Sequence, residues 1–421
     1  MSAPDTEQIT IPDTVEELLG NEDARPDTPW IVNPNQPGCA FASKHLAGVG
    51  VMFYVLCALR AHLRERERFA GRSEPNLAAL LDLVALGTVA DVVRLDHTNR
   101  VLVEQGLLRI RAGRTQPGIS ALFGAAGRNP AQATTYDLGF VVGPRLNAAG
   151  RLADMSIGIA CLSTDDDATA RSLAGQLDEL NRARREVEAG MHEEALTAMD
   201  CVTDVDACSV CLYRPEWHQG VVGIVASRLK DRFHRPAVVF AQAGQGELRG
   251  SARAIAGFHM RDALDLVAKR APGTILRFGG HAYAAGLSLA EEALPRFAVE
   301  FERVAREALS PAMLERTLET DGELADDELT IALARDLACR VWGQGFPAPI
   351  FEGEFRIADQ RVVGDKHGRL VFALGGGSVN AIAFDDPGPF PPRIYAAYRP
   401  DIHHYQGLLS LQIVIESWRP A

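Results

Sequence analysis

The chain has 421 residues, of which 47% are hydrophobic and 23% are charged, and this composition predicts a globular protein of two or three domains. Aspartate and glutamate outnumber lysine and arginine by 55 to 43, which gives a net charge of −12. Nucleic-acid binding would therefore need a local basic groove, because the molecule as a whole has no positive field.

The cellular compartment is predicted from three features of the sequence. The first residues are acidic and polar, unlike a secretory signal, and the longest uncharged apolar stretch, Leu46–Leu59, is too short to span a bilayer. The seven cysteines show no disulfide-framework spacing. We therefore expect a cytoplasmic protein without membrane contact.

The first half of the chain is predicted to be mostly helical. A short strand at Trp30–Gly38 ends in a turn, and apolar helices follow at His45–Leu63 and Leu77–Leu86. Ala168–Met199 is a long helix with a near-heptad apolar pattern and is expected to connect two domains. Its basic cluster Asn181–Arg185 is either a solvated face or the wall of a groove.

The second half alternates between strands and helices before it becomes all β. The predicted elements are strands at Ser209–Tyr213, Ala237–Ala241 and Ala285–Leu289 and helices at Val221–Phe233 and Met260–Arg270. This alternation indicates an α/β domain. After an acidic hinge at Ala312–Glu328, short β runs from Ile350 onwards predict a small β-barrel.

One aspartate, Asp91, lies at the end of the apolar segment LVALGTVADVVRL, after a Gly-Thr pair that resembles a turn. A carboxylate among apolar residues is costly to desolvate unless a cation or hydrogen bonds compensate it. Asp91 is therefore a candidate ligand for Mg²⁺ or Mn²⁺, which prefer hard oxygen ligands. The alternative role is a cap of a helix or turn.

The motif GPRLNAAGRL places Arg145, Asn147 and Arg151 close to several small residues. Small residues allow a polyanion to approach the backbone, and arginine binds phosphate through two parallel hydrogen bonds. These three residues are candidate substrate contacts, and an internal salt-bridge hub is the alternative.

Two later motifs carry the parts of a phosphate site. GSAR contributes the Ser251 hydroxyl and the Arg253 guanidinium, and backbone N–H groups are available beside them. In RFGGHAYAAG, the pair Gly279 and Gly280 is expected to form a turn that carries His281, a residue able to hold or protonate a phosphate oxygen.

Rings and imidazoles are frequent in the predicted barrel. They are Trp342, Phe346, Phe351, His367, Tyr398, His403, His404 and Tyr405. Barrels of the OB type use such rings to stack single-stranded bases, although most rings of a small barrel belong to its core.

Taken together and in this order, the motifs resemble those of the RecJ family, bacterial single-strand-specific 5′→3′ DNA exonucleases of the DHH phosphoesterase superfamily. The matching segments are IVNPNQPGC, LAGVGV, ALGTVADVV, GPRLNAAGRL, HQGVVGIVASRL, GSARAIAGFHM, FGGHAYAAG and FEGEFRI…VGDKHGRLVF. The resemblance extends from about Trp30 to the C-terminus.

The resemblance implies an α/β fold of four parts. These are an incomplete DHH-type parallel-sheet domain (residues 1–162), a long connecting helix (163–200), a DHHA1 α/β domain (201–308) and a C-terminal OB-type β-barrel (320–421). It also implies a metal-dependent exonuclease of DNA repair and recombination, with single-stranded DNA as substrate and a single-strand-binding protein or helicase as candidate partners.

The resemblance also assigns roles to the motif residues. Asp91 corresponds to a ligand of two Mn²⁺ or Mg²⁺ ions, and Arg145, Asn147 and Arg151 line the DNA path. The phosphate contacts are Ser251, Arg253, Gly279 and Gly280, with His281 as the catalytic residue.

The sequence departs from the family pattern at its beginning. The family's early Asp-x-Asp and Asp-His-His motifs are missing from the region before IVNPN, so most metal ligands are absent. We therefore expect this chain alone to be inactive, as a nuclease lacking its N-terminal part. Two alternatives stay open: a non-catalytic single-strand-binding protein and a DHH phosphatase of small substrates.

Overall fold

The computed structural model describes residues 31–200, 207–244, 246–405 and 408–421, so the predictions for residues 1–30 lie outside the described residues. The described chain divides into two units. The sheet unit contains Ala148–Asp154 and Glu179–Thr317, and the barrel unit contains Val32–Asn147, Met155–Asp178 and Leu318–Ala421.

The first part of the barrel unit is helical. Its α-helices are α1 (Gly48–Glu65), α2 (Leu81–Ala90), α3 (His97–Arg111), α4 (Pro117–Ala125), α5 (Gly143–Leu152), α6 (Ser156–Ser163) and α7 (Asp167–Asp200), of which α5 and α7 continue into the sheet unit. A π-helix at Asp137–Val142 directly precedes α5. In the part of the chain that the structure describes, no helix is both long and apolar enough to cross a membrane.

Two local predictions for this region are wrong. Residues 31–38 form turns and no strand, because Asn33 accepts a hydrogen bond from the N–H of Asn35 and Gly38 adopts a positive φ of 78°. The Gly87-Thr88 pair is not a turn but lies within α2, whose apolar residues pack on neighbouring helices and keep both residues helical.

The sheet unit contains the predicted α/β domain. Its elements are β1 (Val210–Tyr213), α8 (Val222–Phe233), β2 (Ala237–Gly244), β3 (Glu247–Arg253), α9 (Met260–Arg270), β4 (Arg277–Gly280), β5 (Ala284–Ala290), α10 (Leu294–Ala308) and the short α11 (Pro311–Leu314). The strand order is β1-β2-β3-β5-β4, with β1 parallel to β2 and the other pairs antiparallel.

Both faces of the sheet are covered by helices, and α10 shows how one of them is packed. Phe297, Phe301 and Val304 recur every three or four residues and are buried, so one stripe of the helix packs into the core. Phe240 of β2 meets Phe297 edge-on, with 5.4 Å between the ring centroids. The apolar periodicity therefore fixes which side of the helix contacts the sheet.

The barrel unit ends in a closed five-stranded barrel. After α12 (Ile331–Cys339), its strands are β6 (Phe351–Val363), β7 (His367–Leu374), β8 (Gly377–Ala383), β9 (Arg393–Tyr405) and β10 (Leu408–Pro420), in the order β10-β8-β7-β6-β9. Alternate residues point inwards, and Phe355 stacks on Phe372 with 4.4 Å between centroids. The predicted α/β class with an OB-type C-terminal barrel is confirmed.

Candidate functional site

Ser251 and Arg253 lie on one face of β3, since they are two residues apart on a strand. The whole motif lies within β3, because residues 250–253 pair with both β2 and β5. The Nη1 group of Arg253 donates hydrogen bonds to Oγ of Ser251 (2.9 Å) and to the carbonyl oxygen of Ala252 (2.8 Å). The strand thus holds the guanidinium in a defined position.

The start of helix α8 packs directly against this pair. A Cβ atom on Gly223 would lie 2.9 Å from Nη2 of Arg253 and 3.0 Å from Oγ of Ser251. Only glycine allows such an approach without displacing the neighbouring groups. The arrangement brings backbone N–H groups of a helix N-terminus beside a guanidinium and a hydroxyl, which together favour an anion.

Arg151, at the end of α5, meets the loop that leads into α8. Its Nη1 group donates a hydrogen bond of 2.9 Å to the carbonyl oxygen of Gly220, and the side chain is otherwise exposed. The N–H of Gly220 donates to Nδ1 of His218 (3.1 Å). This contact places the predicted residue Arg151 at the loop that directly precedes Gly223 and helix α8.

Arg184 is a functional candidate that the sequence analysis did not single out. The prediction that Asn181–Arg185 forms a solvated face is wrong in part, because Asn181 and Arg184 are buried. Nη1 of Arg184 donates to Oε2 of Glu188 at 2.7 Å, and Oε1 of the same buried carboxylate lies 2.6 Å from Nε of Arg228. Such packing fixes Arg184, while Glu188 is shared between two cations.

Arg151 repels both Arg253 and Arg184. Burial lowers the pKa of Arg253, and repulsion from Arg151 lowers it further. The pKa of Arg184 is lowered mainly by burial, with further contributions from Arg185 and Arg151, although Glu188 opposes the shift. Arginine nevertheless stays charged at neutral pH, so this set of Arg151, Arg184, Ser251 and Arg253, named the arginine pocket, attracts anions.

His281 lies in the turn between β4 and β5, beside the end of β3. Arg253 pairs with Ala284 in the sheet, and the N–H of His281 donates to the carbonyl oxygen of that alanine at 2.8 Å. Gly280 has φ +141°, and a Cβ there would meet the Ala284 carbonyl oxygen at 2.5 Å, so this position requires glycine. The prediction that Gly279 and Gly280 form the turn is wrong, because both belong to β4 and pair with Gly286 and Ala285.

Arg145 occupies an internal position. Its Nε and Nη2 groups contact Oδ1 of Asp178 at 2.9 and 2.8 Å, and Nη1 donates to the carbonyl oxygen of Val141. These contacts agree with the internal salt-bridge hub that the sequence analysis gave as the alternative. Contact of Arg145 with a DNA strand stays a prediction. Asn147, two residues further on α5, is exposed.

Asp91 is the C-cap residue of α2 and is exposed, and its N–H donates to the carbonyl oxygen of Gly87. Partial burial raises the pKa of its carboxyl group. Across residues 31–200, 207–244, 246–405 and 408–421, no three His, Cys, Asp or Glu side chains are grouped to hold a metal ion. These residues therefore do not fit a two-ion centre, which needs several oxygen or imidazole ligands around each ion.

Comparison with known families identifies both folded regions of the second half. The family described as the DHHA1 domain matches residues 205–307, and the one described as the RecJ OB domain matches residues 320–417. The chain is 51% identical over 403 residues to the single-stranded-DNA-specific exonuclease RecJ of Dickeya dadantii, covering 93% of this chain and 70% of that protein. The chain belongs to the RecJ family.

Other members show the same relationship. The Escherichia coli exonuclease RecJ is 49% identical over 411 residues, covering 94% of this chain and 71% of that protein. Among solved structures, RecJ of Thermus thermophilus in complex with Mg²⁺ gives a TM-score of 0.76 at 30% identity, covering 91% of this chain. The same enzyme with Mn²⁺ gives 0.76 at 31% identity.

This RecJ-family chain spans less than its relatives. It covers 57% of the Thermus chain solved with Mg²⁺ and 54% of the chain solved with Mn²⁺. The RecJ family includes proteins solved with divalent ions, whereas the described residues of this chain group no metal ligands.

Proposed function

We propose that this chain binds single-stranded DNA and that the arginine pocket holds one of the strand's phosphates. The observation that carries the proposal is Arg253, whose partly buried guanidinium has no carboxylate partner in the described chain and faces the start of α8. Removing a guanidinium from water without a counter-ion is unfavourable, so an anionic ligand would complete the pocket. A phosphate offers the matching oxygen pair.

Each group has a defined part in this binding mode. Arg253 would donate in-plane hydrogen bonds to the phosphate, while Ser251 and the first N–H groups of α8 contact its remaining oxygens. Arg151 and Arg184 would add positive charge, of which Glu188 offsets a part at Arg184. His281 lies on the turn beside Arg253, where it would hold or protonate a phosphate oxygen.

Cleavage is the second part of the proposal. The curated relatives are named as exonucleases, and we propose that the complete site performs metal-dependent hydrolysis in the 5′→3′ direction, with Asp91 as one ligand of Mn²⁺ or Mg²⁺. The described residues do not fit a two-ion centre. They therefore support binding of single-stranded DNA and not metal-dependent hydrolysis. We propose that this chain by itself binds a strand without cutting it.

The biological setting follows from the resemblance alone. We propose a role in DNA repair and recombination in the cytoplasm, with a single-strand-binding protein or a helicase as candidate partners. The domain boundaries at 162, 200, 308 and 320 are likewise proposed. The phosphatase of small substrates is less favoured, since such an enzyme has no need of the closed barrel that the chain carries.

The test is digestion of a 5′-labelled single-stranded oligonucleotide by the purified chain with Mn²⁺, with Asp91→Ala run beside it. The expected result is no cleavage by either protein, with strand binding by both measured in fluorescence anisotropy. A 3′-labelled copy of the oligonucleotide reports the direction of any cleavage.

Each outcome decides a part of the proposal. Cleavage that disappears in Asp91→Ala would show that the metal site is complete, and the proposed lack of turnover would be wrong. Cleavage that is equal in both proteins indicates a contaminating nuclease and requires a further purification. Absence of strand binding by the unaltered chain would contradict the proposed function itself.

A further inference from the structure

A second basic site lies within the barrel unit, around a cavity of about 430 Å³. Its basic side chains are Lys44, His45, Arg94, His97 and Arg100. This set, named the basic cavity, also includes Asp96 and Phe346 in its walls. The volume falls within the range typical of small-ligand sites.

The basic cavity is built by a turn, Gly343–Phe346, that packs on the segment before α3. The N–H of Leu95 donates a 2.7 Å hydrogen bond to the carbonyl oxygen of Gln344. Gly345 has φ +71°, and a Cβ on it would lie 2.5 Å from Cγ of Arg94, so the stem of Arg94 rests on the bare backbone. The turn therefore fixes where Arg94 can reach.

Arg100 is held by stacking and not by an acid. Its guanidinium carbon lies 3.7 Å from the centroid of the Phe346 ring, which itself stacks on Trp342 at 5.2 Å. Stacking occupies one face of the guanidinium and leaves the N–H groups in its plane available. The Nε atom of Arg100 is buried and has no hydrogen-bond partner.

The charges of the basic cavity are not neutralised internally. Within the described residues, the side chains of Arg94 and Arg100 make no hydrogen bond and no ion pair. The carboxylate of Asp96 accepts from Oγ of Ser43 (2.6 Å) and from the N–H of Asn99 (2.9 Å), which caps α3. Two unpaired guanidinium groups thus face a cavity in a chain whose net charge is −12.

Lys44 supports the same interpretation. Its Nζ group donates to the carbonyl oxygens of Pro34 and Cys39, both at 2.7 Å, which anchors the ammonium group near the cavity and leaves one N–H unused. Lys44, Arg94 and Arg100 supply three permanent positive charges against the single carboxylate of Asp96. Because guanidinium groups match phosphate oxygens in pairs, the ligand class that fits is a phosphate ester.

We propose that the basic cavity is a second phosphate-binding site, which takes a nucleotide phosphate. The phosphate could belong to an internal phosphodiester of a bound strand or to a free nucleotide, and both have the same recognition chemistry. Binding of a phosphodiester within a DNA strand rests on the proposed function, whereas binding of a free nucleotide does not. The site involves none of the residues of the arginine pocket.

The experiment compares Arg94→Gln and the double variant Arg94→Gln/Arg100→Gln with the unaltered chain. Arg171→Gln is the matched control, because Arg171 is an exposed arginine on α7 in the same unit. Affinity for fluorescein-labelled oligothymidylate is measured across a salt series, and thymidine 5′-monophosphate is titrated by calorimetry. Thermal unfolding of each variant monitors the fold, and His97→Gln replaces the double variant if that protein unfolds.

For a strand ligand, each arginine removed should lower affinity by about tenfold and lower the salt slope by about 0.7, since each contact releases counterions. For a free nucleotide, thymidine monophosphate binding should be lost in the variants while strand affinity stays unchanged. Arg171→Gln should leave both unchanged.

Three results separate the two proposals. Variants that match Arg171→Gln in both titrations would overturn the basic cavity as a phosphate site. An unaltered chain that binds the monophosphate through Arg94 but binds no strand would support the basic cavity and contradict the proposed function. An equal loss of affinity in Arg171→Gln would show that the effect depends only on the net charge of the chain, and it would also contradict the proposal that the basic cavity binds phosphate.

Discussion

The sheet unit and the barrel unit differ in whether their predicted site residues lie close to one another. In the sheet unit, β3, the start of α8 and the turn before β5 place Ser251, Arg253 and His281 together. In the barrel unit, Asp91 stands at the end of α2 and belongs to no group of three or more His, Cys, Asp or Glu side chains among the described residues.

The difference follows from the chemistry of the two ligands. A phosphate needs a few donors and positive charge, which one sheet and one helix start can supply. A pair of metal ions needs several carboxylates or imidazoles converging from different elements. A unit can therefore retain strand binding independently of metal chemistry, and substitutions in the two units should separate these properties.

The largest expected effect is the loss of strand binding in Arg253→Ala. Hydrogen bonds to charged groups contribute about 1.5–3 kcal/mol, so affinity for a single-stranded oligonucleotide should fall by about 10- to 100-fold. Fluorescence anisotropy measures the change. The matched control is Arg277→Ala on β4, an exposed arginine paired with Glu247 at 3.4 Å, which should have little effect. An equal loss of oligonucleotide affinity in Arg253→Ala and Arg277→Ala would contradict the proposal that Arg253 contacts a phosphate.

A second prediction concerns hydrogen exchange. Helix α1 carries large apolar side chains that are exposed, including Met52 and Leu59, and Gly50 is its one buried residue, whereas β2 is buried from Ala237 to Ala241. Regions with few buried apolar contacts open at lower free-energy cost. Backbone amides of α1 should exchange at least about tenfold faster than those of β2 and β3. Equal protection measured by mass spectrometry would contradict this comparison.

Much of the sheet unit could be predicted from the sequence. The limits of α9 agree with the prediction at both ends, and β1, β2, β5 and α8 differ by a few residues, because their apolar patterns match their burial. Ser251 and Arg253 were identified from residue type and spacing. The sequence does not show that they lie within β3, since glycine and serine are weak strand formers and the strand is extended by pairing with both β2 and β5.

The rest of the site depends on contacts distant in sequence. Nothing local shows that Gly223 faces Arg253, or that Arg145 pairs with Asp178 33 residues later. For Arg184 a signal existed, because Glu188 is four residues further on and such pairs share a helix face. Helical spacing alone did not show that this face is buried, since a run of charges is usually solvated.

A smaller effect is expected for Gly223→Ala. The added Cβ would come within 2.9 Å of Nη2 of Arg253 and should displace the end of this flexible side chain. Strand affinity should fall about three- to tenfold, a fraction of the loss in Arg253→Ala. Gly190→Ala on α7 is the control, because nothing lies within 4 Å of its added Cβ and alanine favours a helix by about 0.5–1 kcal/mol. Unchanged affinity in Gly223→Ala would show that α8 does not shape the pocket.

The smallest expected effect is a pH dependence of stability at His192, on α7 in the sheet unit. Burial lowers the pKa of His192, and the positive neighbours Arg228 and Arg232 lower it further, while Glu188 acts in the opposite direction. The unfolded state then binds a proton more readily than the folded state as pH falls through the unfolded pKa of about 6.5. The unaltered chain should therefore lose stability relative to His192→Gln between neutral pH and about pH 5. Thermal unfolding of both proteins measures the difference. A constant difference across this range would contradict the lowered pKa of His192 and its two causes, burial and the positive charges of Arg228 and Arg232.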